Sequence, residues 1–153
     1  MVRVRPALVL LPLLIAACGH TSPRSADKDY QSLRSSLLVP SRFTPAAPAG
    51  PCQTDRHMQC WTTDALPTQA VHAAVEALGA DYRTTDTSWC GPGHWAAQRK
   101  AWGEAHAPCT LRGTSHRLRV TVAAIAFPDP MATTTTEHLV FRPTLVSITA
   151  TVP

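Results

Sequence analysis

No long apolar run crosses this sequence: the stretch Ala7 to Leu14 falls well short of the roughly 20 residues that a membrane-spanning helix needs. Recognisable catalytic motifs are missing as well. There is no Gly-x-Ser-x-Gly elbow, no His-Glu-x-x-His pair and no phosphate-binding P-loop. Gly91, Gly93 and Ala96 formally match a variant dinucleotide fingerprint. No apolar strand precedes them, no strand-helix-strand unit surrounds them, and Pro92 removes an amide that a phosphate would use. With seven histidines in the chain, neighbours such as Glu104 and His106 or Glu137 and His138 are expected by chance. No catalytic residue is assigned, and no cofactor is expected. A large surplus of one charge is absent too, since 14 basic side chains, 12 of them arginine, face 10 acidic ones, a formal net charge of +4. The basic residues are scattered rather than striped, which excludes a nucleic-acid footprint. Aromatic residues number only nine, yet four of these are tryptophan.

The most specific segment is Ile15-Ala16-Ala17-Cys18, which closes an apolar run that follows Arg3 and Arg5. A positive start, a short apolar core and small residues before a cysteine resemble a bacterial lipoprotein signal of the signal peptidase II type. The resemblance covers residues 1–18 alone. It implies cleavage before Cys18 and a thioether-linked diacylglycerol on that cysteine, hence a chain tied through its lipid to the extracytoplasmic face of the cell membrane. The leader holds two of the 14 basic residues and no acidic one, so the mature chain is left with 12 against 10, a formal charge of +2.

With Cys18 reserved for lipid, Cys52, Cys60, Cys90 and Cys109 remain. An even set in an exported domain reads as two disulfides. Three pairings are open. Cys52 with Cys60 and Cys90 with Cys109 close the shortest loops, and on the chain-entropy view each would stabilise by about 2.5 to 3.3 kcal/mol. His57, His94 and His106 each lie close to one of these cysteines, a loose suggestion of zinc. The spacers are irregular, however, and the compartment oxidises thiols, so no metal ligand set is assigned.

Residues 18–51 read as a lipid-anchored tether and proline-rich linker. His20 to Asp29 is small and polar, Tyr30, Leu33, Leu37 and Leu38 give a short helix over 27–39 that Pro40 ends, and Ser41 to Pro51 is an extended spacer. The domain is expected over 52–153. In it Val71, Ala74, Val75 and Leu78 stripe a helix over 67–78, with Pro67 in its first turn, Thr63 or Asp64 placed to meet its free amides and Gly79 beyond its end. Strands are expected at 117–122 and 146–152, where Leu118, Val120, Val122 and Val146, Ile148, Ala150 alternate with polar residues. A change of phase at Ala123 predicts either a bulge there or burial on both faces. Leu139 to Arg142 begins the last strand, broken by Pro143, and Asp81 to Ser88 is a weaker first strand. The expected fold is α+β, one or two helices packed on a small antiparallel sheet with disulfides.

The least generic stretch runs from Trp89 to Trp95, a loop clipped at Cys90, and leads into a helix over 94–106. Trp61 and Trp89, each beside a cysteine, are expected to pack on disulfides. Trp95 and Trp102, with His94 and Arg99, are the candidates for ligand contact, because an exposed indole offers a flat platform to sugars, peptides or proteins. Together these features describe a non-catalytic binding or accessory module of the cell envelope, acting on an envelope protein or a cell-wall glycan. A small hydrolase of envelope polymers and a histidine-based metal-handling lipoprotein are the alternatives. A cleft joining His94 or His106 to a carboxylate would favour the hydrolase.

Overall fold

The computed structural model describes residues 23–47, 51–90, 93–131 and 139–153. The leader with Arg3, Arg5 and Cys18, residues 48–50, Gly91 and Pro92, and the segment 132–138 with Glu137 and His138 lie outside them. Six strands form one antiparallel sheet: β1 (Thr44–Pro45), β2 (Met58–Thr63), β3 (Arg83–Asp86), β4 (Cys109–Ser115), β5 (Leu118–Ile125) and β6 (Thr144–Thr151). Their order in space is β1-β2-β6-β5-β4-β3. Four helices, α1 (Pro23–Ser36), α2 (Pro51–Thr54), α3 (Pro67–Ala77) and α4 (Ala96–Trp102), complete an α+β fold whose sheet is larger than the sequence suggested.

Successive side chains of a strand point to opposite faces, and here one face carries the core. Leu118, Val120, Val122 and Ala124 of β5 are buried on it, with Val146, Ile148 and Ala150 of β6 and Cys109 and Leu111 of β4. Each large aliphatic side chain removed from water in this way stabilises the fold by about 1.5 to 3 kcal/mol. The helix α3 supplies the cover with Pro67, Ala70, Val71, Ala73, Ala74 and Ala77. Its buried stripe is therefore centred on small residues, and Val75, expected in the middle, is only half-buried. Thr63 and Asp64 do not cap it. Thr63 Oγ1 accepts from the Ala65 amide at 3.3 Å, and Leu66 occupies the capping position without a side-chain hydrogen bond. Gly79, at φ 73°, takes the left-handed conformation just past the helix end.

The bulge expected at Ala123 is not formed. The pairing of β5 with β4 and with β6 runs without a shift, and the buried parity continues through Ala124 and Ala126. Ala123 and Ile125 instead lie half-buried on the opposite face, so the second of the two readings of that phase change applies. Two strands had no clear signature. In β4 the core positions are Cys109, Leu111, Gly113 and Ser115, and in β2 only Trp61 and Thr63 are buried.

Residues expected as tether and linker belong to the packed unit. Tyr30 and Leu33 of α1 and Phe43 beyond it are buried in the same core as Trp61 and Ile148. Among the described residues, packed structure thus includes α1, ahead of the expected start near Cys52. The bridges are Cys52 to Cys60 and Cys90 to Cys109, the shortest-loop pairing. Trp61 does not rest on its neighbouring bridge. It points to the core face, where it meets Phe43 at 6.5 Å between ring centroids.

One end of the sheet gathers several contacts. The β4–β5 turn passes through His116 and Arg117, both at positive φ (48° and 65°), as a two-residue hairpin requires. Arg117 donates to Asp29 of α1 at 2.9 Å, and the Ala150 amide of β6 donates to the His57 carbonyl at 3.1 Å. The middle of α1, the start of β2 and the end of β6 therefore share this hairpin end. Among the described residues no helix is long and apolar enough to cross a membrane.

Candidate ligand-binding surface

The segment between β3 and β4 is built from its caps inward. Asp86, the last residue of β3, accepts from the Ser88 amide at 2.8 Å and the Ser88 hydroxyl at 2.6 Å, which starts the single 3-10 turn Ser88–Cys90. These two donors, the hydroxyl first, hold the Asp86 carboxyl below the usual carboxylate range, and Arg112 adds to the effect. The Cys90–Cys109 bridge then ties the turn to the start of β4.

Trp89 is held on several sides as a result. The Trp95 indole Nε1 donates to its carbonyl at 3.1 Å, and the His94 and Trp95 rings lie 3.9 and 5.9 Å from its own. Trp95 sits at the start of α4 at φ 59°, in the left-handed conformation, so the loop closes on itself before the helix begins. The Arg112 guanidinium of β4 stands over the Trp89 ring at 4.7 Å, and its Nη1 is 3.9 Å from Asp86 Oδ2. Cation–π contact and a nearby carboxylate orient this guanidinium without occupying its donors at hydrogen-bond distance.

Arg112 projects onto the face of the sheet that the helices leave uncovered. Its cross-strand partners are Asp86 on β3 and Thr121 on β5, and one row nearer the hairpin end stand Thr114, Arg119 and Thr151. These six residues line an open groove of about 450 Å³. Its floor is sheet, and the interior amides of that floor are used in strand pairing. The donors it offers are therefore guanidinium and hydroxyl groups.

The four contact residues expected from the sequence do not share one surface. His94 and Trp95 belong to the Trp89 cluster. Arg99 is turned inward on α4, where its Nη1 donates to Glu104 at 2.7 Å and its Nε to the His94 carbonyl at 3.3 Å. Trp102 ends α4 on the far side, edge-on to Phe127 and Phe141 at 6.5 and 6.4 Å. It adjoins a second cavity, of about 260 Å³, at the end of the sheet opposite the hairpin. Asp64, His106, Phe141 and Arg142 line that cavity, with His106 stacked flat on Phe141 at 3.8 Å. Glu104, the sequence neighbour of His106, is taken by Arg99 instead. Among the described residues no three His, Cys, Asp or Glu side chains are grouped to hold a metal ion.

Sequence reasoning missed Arg112, Arg119 and Asp86. Arg119 and Thr121 had been visible as the polar parity of β5, but Arg112 lies in a strand whose core side chains are too small to show an alternation. Comparison with protein families, curated proteins and solved structures finds no match to this chain.

Proposed function

We propose that this chain is a lipoprotein anchored through lipid on Cys18 to the extracytoplasmic face of the cell membrane, and that it works as a non-catalytic binding module for a cell-envelope partner. One observation carries the binding reading: Arg112 is held by Trp89 and Asp86 at the wall of a polar groove, with the loop that carries Trp89 stapled to β4 by a disulfide. Groups ordered before the ligand arrives bind with less loss of conformational entropy, which is how a small domain gains affinity from few contacts. The groove contains guanidinium, hydroxyl and one carboxylate, a set suited to polar recognition.

Two measurements test this reading. Cys18→Ser should abolish lipid labelling and release the protein from the membrane fraction, and retained labelling would refute the anchor. A photoreactive residue at Thr121, in the groove, should give a discrete adduct on intact cells that the same residue at Gln69, exposed on α3, does not. Equal patterns at the two positions would remove the groove as the contact surface. A second reading, a small envelope hydrolase, is favoured by the cavity that Asp64 and His106 share. In that case His106→Ala and Asp64→Asn should each abolish hydrolysis of isolated cell-wall polymer while Thr121 adducts stay unchanged.

A further inference from the structure

The geometry points to a specific occupant for the groove: a carboxylate-bearing glycan strand, lying on the uncovered sheet face across β3, β4 and β5. This inference rests on the binding function proposed above and names its ligand class. Its first support is charge. Arg112 and Arg119 line the groove against a single carboxylate, Asp86. Arg83, paired with Thr114 across β3 and β4, adds a third guanidinium on the same face. Arg83 and Arg119 form no ion pair among the described residues. Neighbouring strands lie about 4.8 Å apart, so Arg83 and Arg119, two strands removed in one row, stand roughly 10 Å apart. An anionic polymer laid across the strands meets them in turn.

The second support is the kind of polar group present. A guanidinium matches a carboxylate with two parallel N–H donors. Thr114, Thr121 and Thr151 each add a hydroxyl that both donates and accepts, the counterpart of a sugar hydroxyl. A phosphate site is usually built on free backbone amides, as at a helix start or a nest of turns, whereas β4 and β5 in this floor pair continuously with their neighbours. An extended acidic peptide is held mainly by backbone pairing along a strand edge, whereas this groove lies on a sheet face and offers charged and hydroxylic side chains. Trp89 adds no stacking surface for bases because Arg112, His94 and Trp95 surround its ring. The role of Trp89 is to position Arg112.

The test is binding of the full-length, unlipidated chain to polygalacturonate, measured by calorimetry at low ionic strength and again at 0.15 M salt. Dextran, poly-glutamate and polyphosphate serve as comparison polymers. Polygalacturonate should bind and dextran should not. Arg112→Gln and Arg119→Gln should each weaken binding at least about tenfold, as expected for loss of a charge-assisted contact. Arg34→Gln, exposed on α1, should change it less than about twofold. Trp89→Phe should weaken it while the melting temperature is kept, and Arg112→Lys should not restore it, because only the planar fork is held by the ring. Poly-glutamate or polyphosphate binding as tightly as polygalacturonate would overturn the inference. Equal affinity of Arg119→Gln and the parent chain would do so too. If Thr121 adducts form on cells while polygalacturonate is ignored, the ligand class is wrong and the binding function stands; if both fail, both are lost.

Discussion

Val120 and Thr121 are neighbours on β5, yet they belong to different worlds: the first is fully buried under the helices, the second opens onto the groove. The same contrast runs through the sheet, between Leu111 and Arg112, Leu118 and Arg119, Ala150 and Thr151. On the covered face the side chains are aliphatic and their worth lies in exclusion of water. In the groove on the open face they are arginine, threonine and one aspartate, and their worth lies in what they can still bond to. A strand with a period of two lets one backbone serve both needs, and it makes stability and recognition separable by mutation.

The comparison can be broken most severely at Val120. Val120→Asp buries an unpaired carboxylate and should cost more than about 4 kcal/mol, whereas Thr121→Ala beside it should stay within about 0.5, both read by chemical denaturation. Similar losses at the two positions would mean that the open face is also core. Next in size is the clip. Opening Cys90–Cys109 with paired Cys→Ser changes should cost about 3 kcal/mol, and the smaller Cys52–Cys60 loop about 2.5, compared by thermal unfolding. Only the first should also weaken polymer binding, since only it steadies Trp89.

Gly113 sharpens the contrast within one strand. A Cβ there would collide with the Arg83 carbonyl and reach Tyr82 Cζ at 2.6 Å, so Gly113→Ala should cost about 1 to 3 kcal/mol while Thr114→Ala costs almost nothing. The smallest effects should come from pH, and the faces should respond at opposite ends of the scale. Burial raises the Tyr82 hydroxyl, and likewise Tyr30, above the ordinary tyrosine range. Their contribution is complete below that range and is lost as pH rises through the folded value, which should appear as loss of core stability with tyrosinate absorbance. Asp86 is lowered, so its contribution is complete above the ordinary carboxylate range and is lost as pH falls through its lower folded value. Acid should therefore loosen the Trp89–Arg112 contact, and Asp86→Asn should remove that acid-dependent change from the tryptophan fluorescence of the free protein.

What could be read from the sequence follows the size of the side chains. The helix α3 and the strands β5 and β6 announce themselves because Val, Ile and Leu repeat at the right spacing, whereas the sequence left three disulfide pairings open, of which the shortest-loop one is formed. Where the core is made of Ala70, Ala73 and Ala77, or of Cys109, Gly113 and Ser115, the period is present in space but nearly silent in hydropathy. At Ala123 the change of phase had two readings, and the continuous pairing of β5 decides for partial burial of both faces over a bulge. For the candidate surface, Cys90 rightly marked the clipped loop. Trp95 and Trp102 looked like one platform because both lie near a single helix, but they cap its two ends and face different clusters. The groove itself depends on register: Asp86, Arg112 and Thr121 come from three strands, and only the pairing of those strands brings them into one row.

The docking of α1 onto the core bears on how far this molecule can reach. Among the described residues the first helix, which buries Tyr30 and Leu33, starts at Pro23, five residues after Cys18. Five Cα steps extend to at most roughly 18 Å. With lipid on Cys18 as proposed, the start of α1 is leashed within that span of the headgroups, and Asp29, which meets Arg117 of the hairpin, follows six residues or about 9 Å along the helix. The eight residues of β6 then carry the sheet roughly 27 Å further outward. Thr114 and Arg119, each two residues from the hairpin turn, fall in the half nearer the bilayer. On the proposed anchor, the leash, this stretch of helix and one strand length hold the groove within roughly 54 Å of the headgroups, so the ligand proposed above would be polymer that runs alongside the membrane rather than polymer in the outer layers of the envelope.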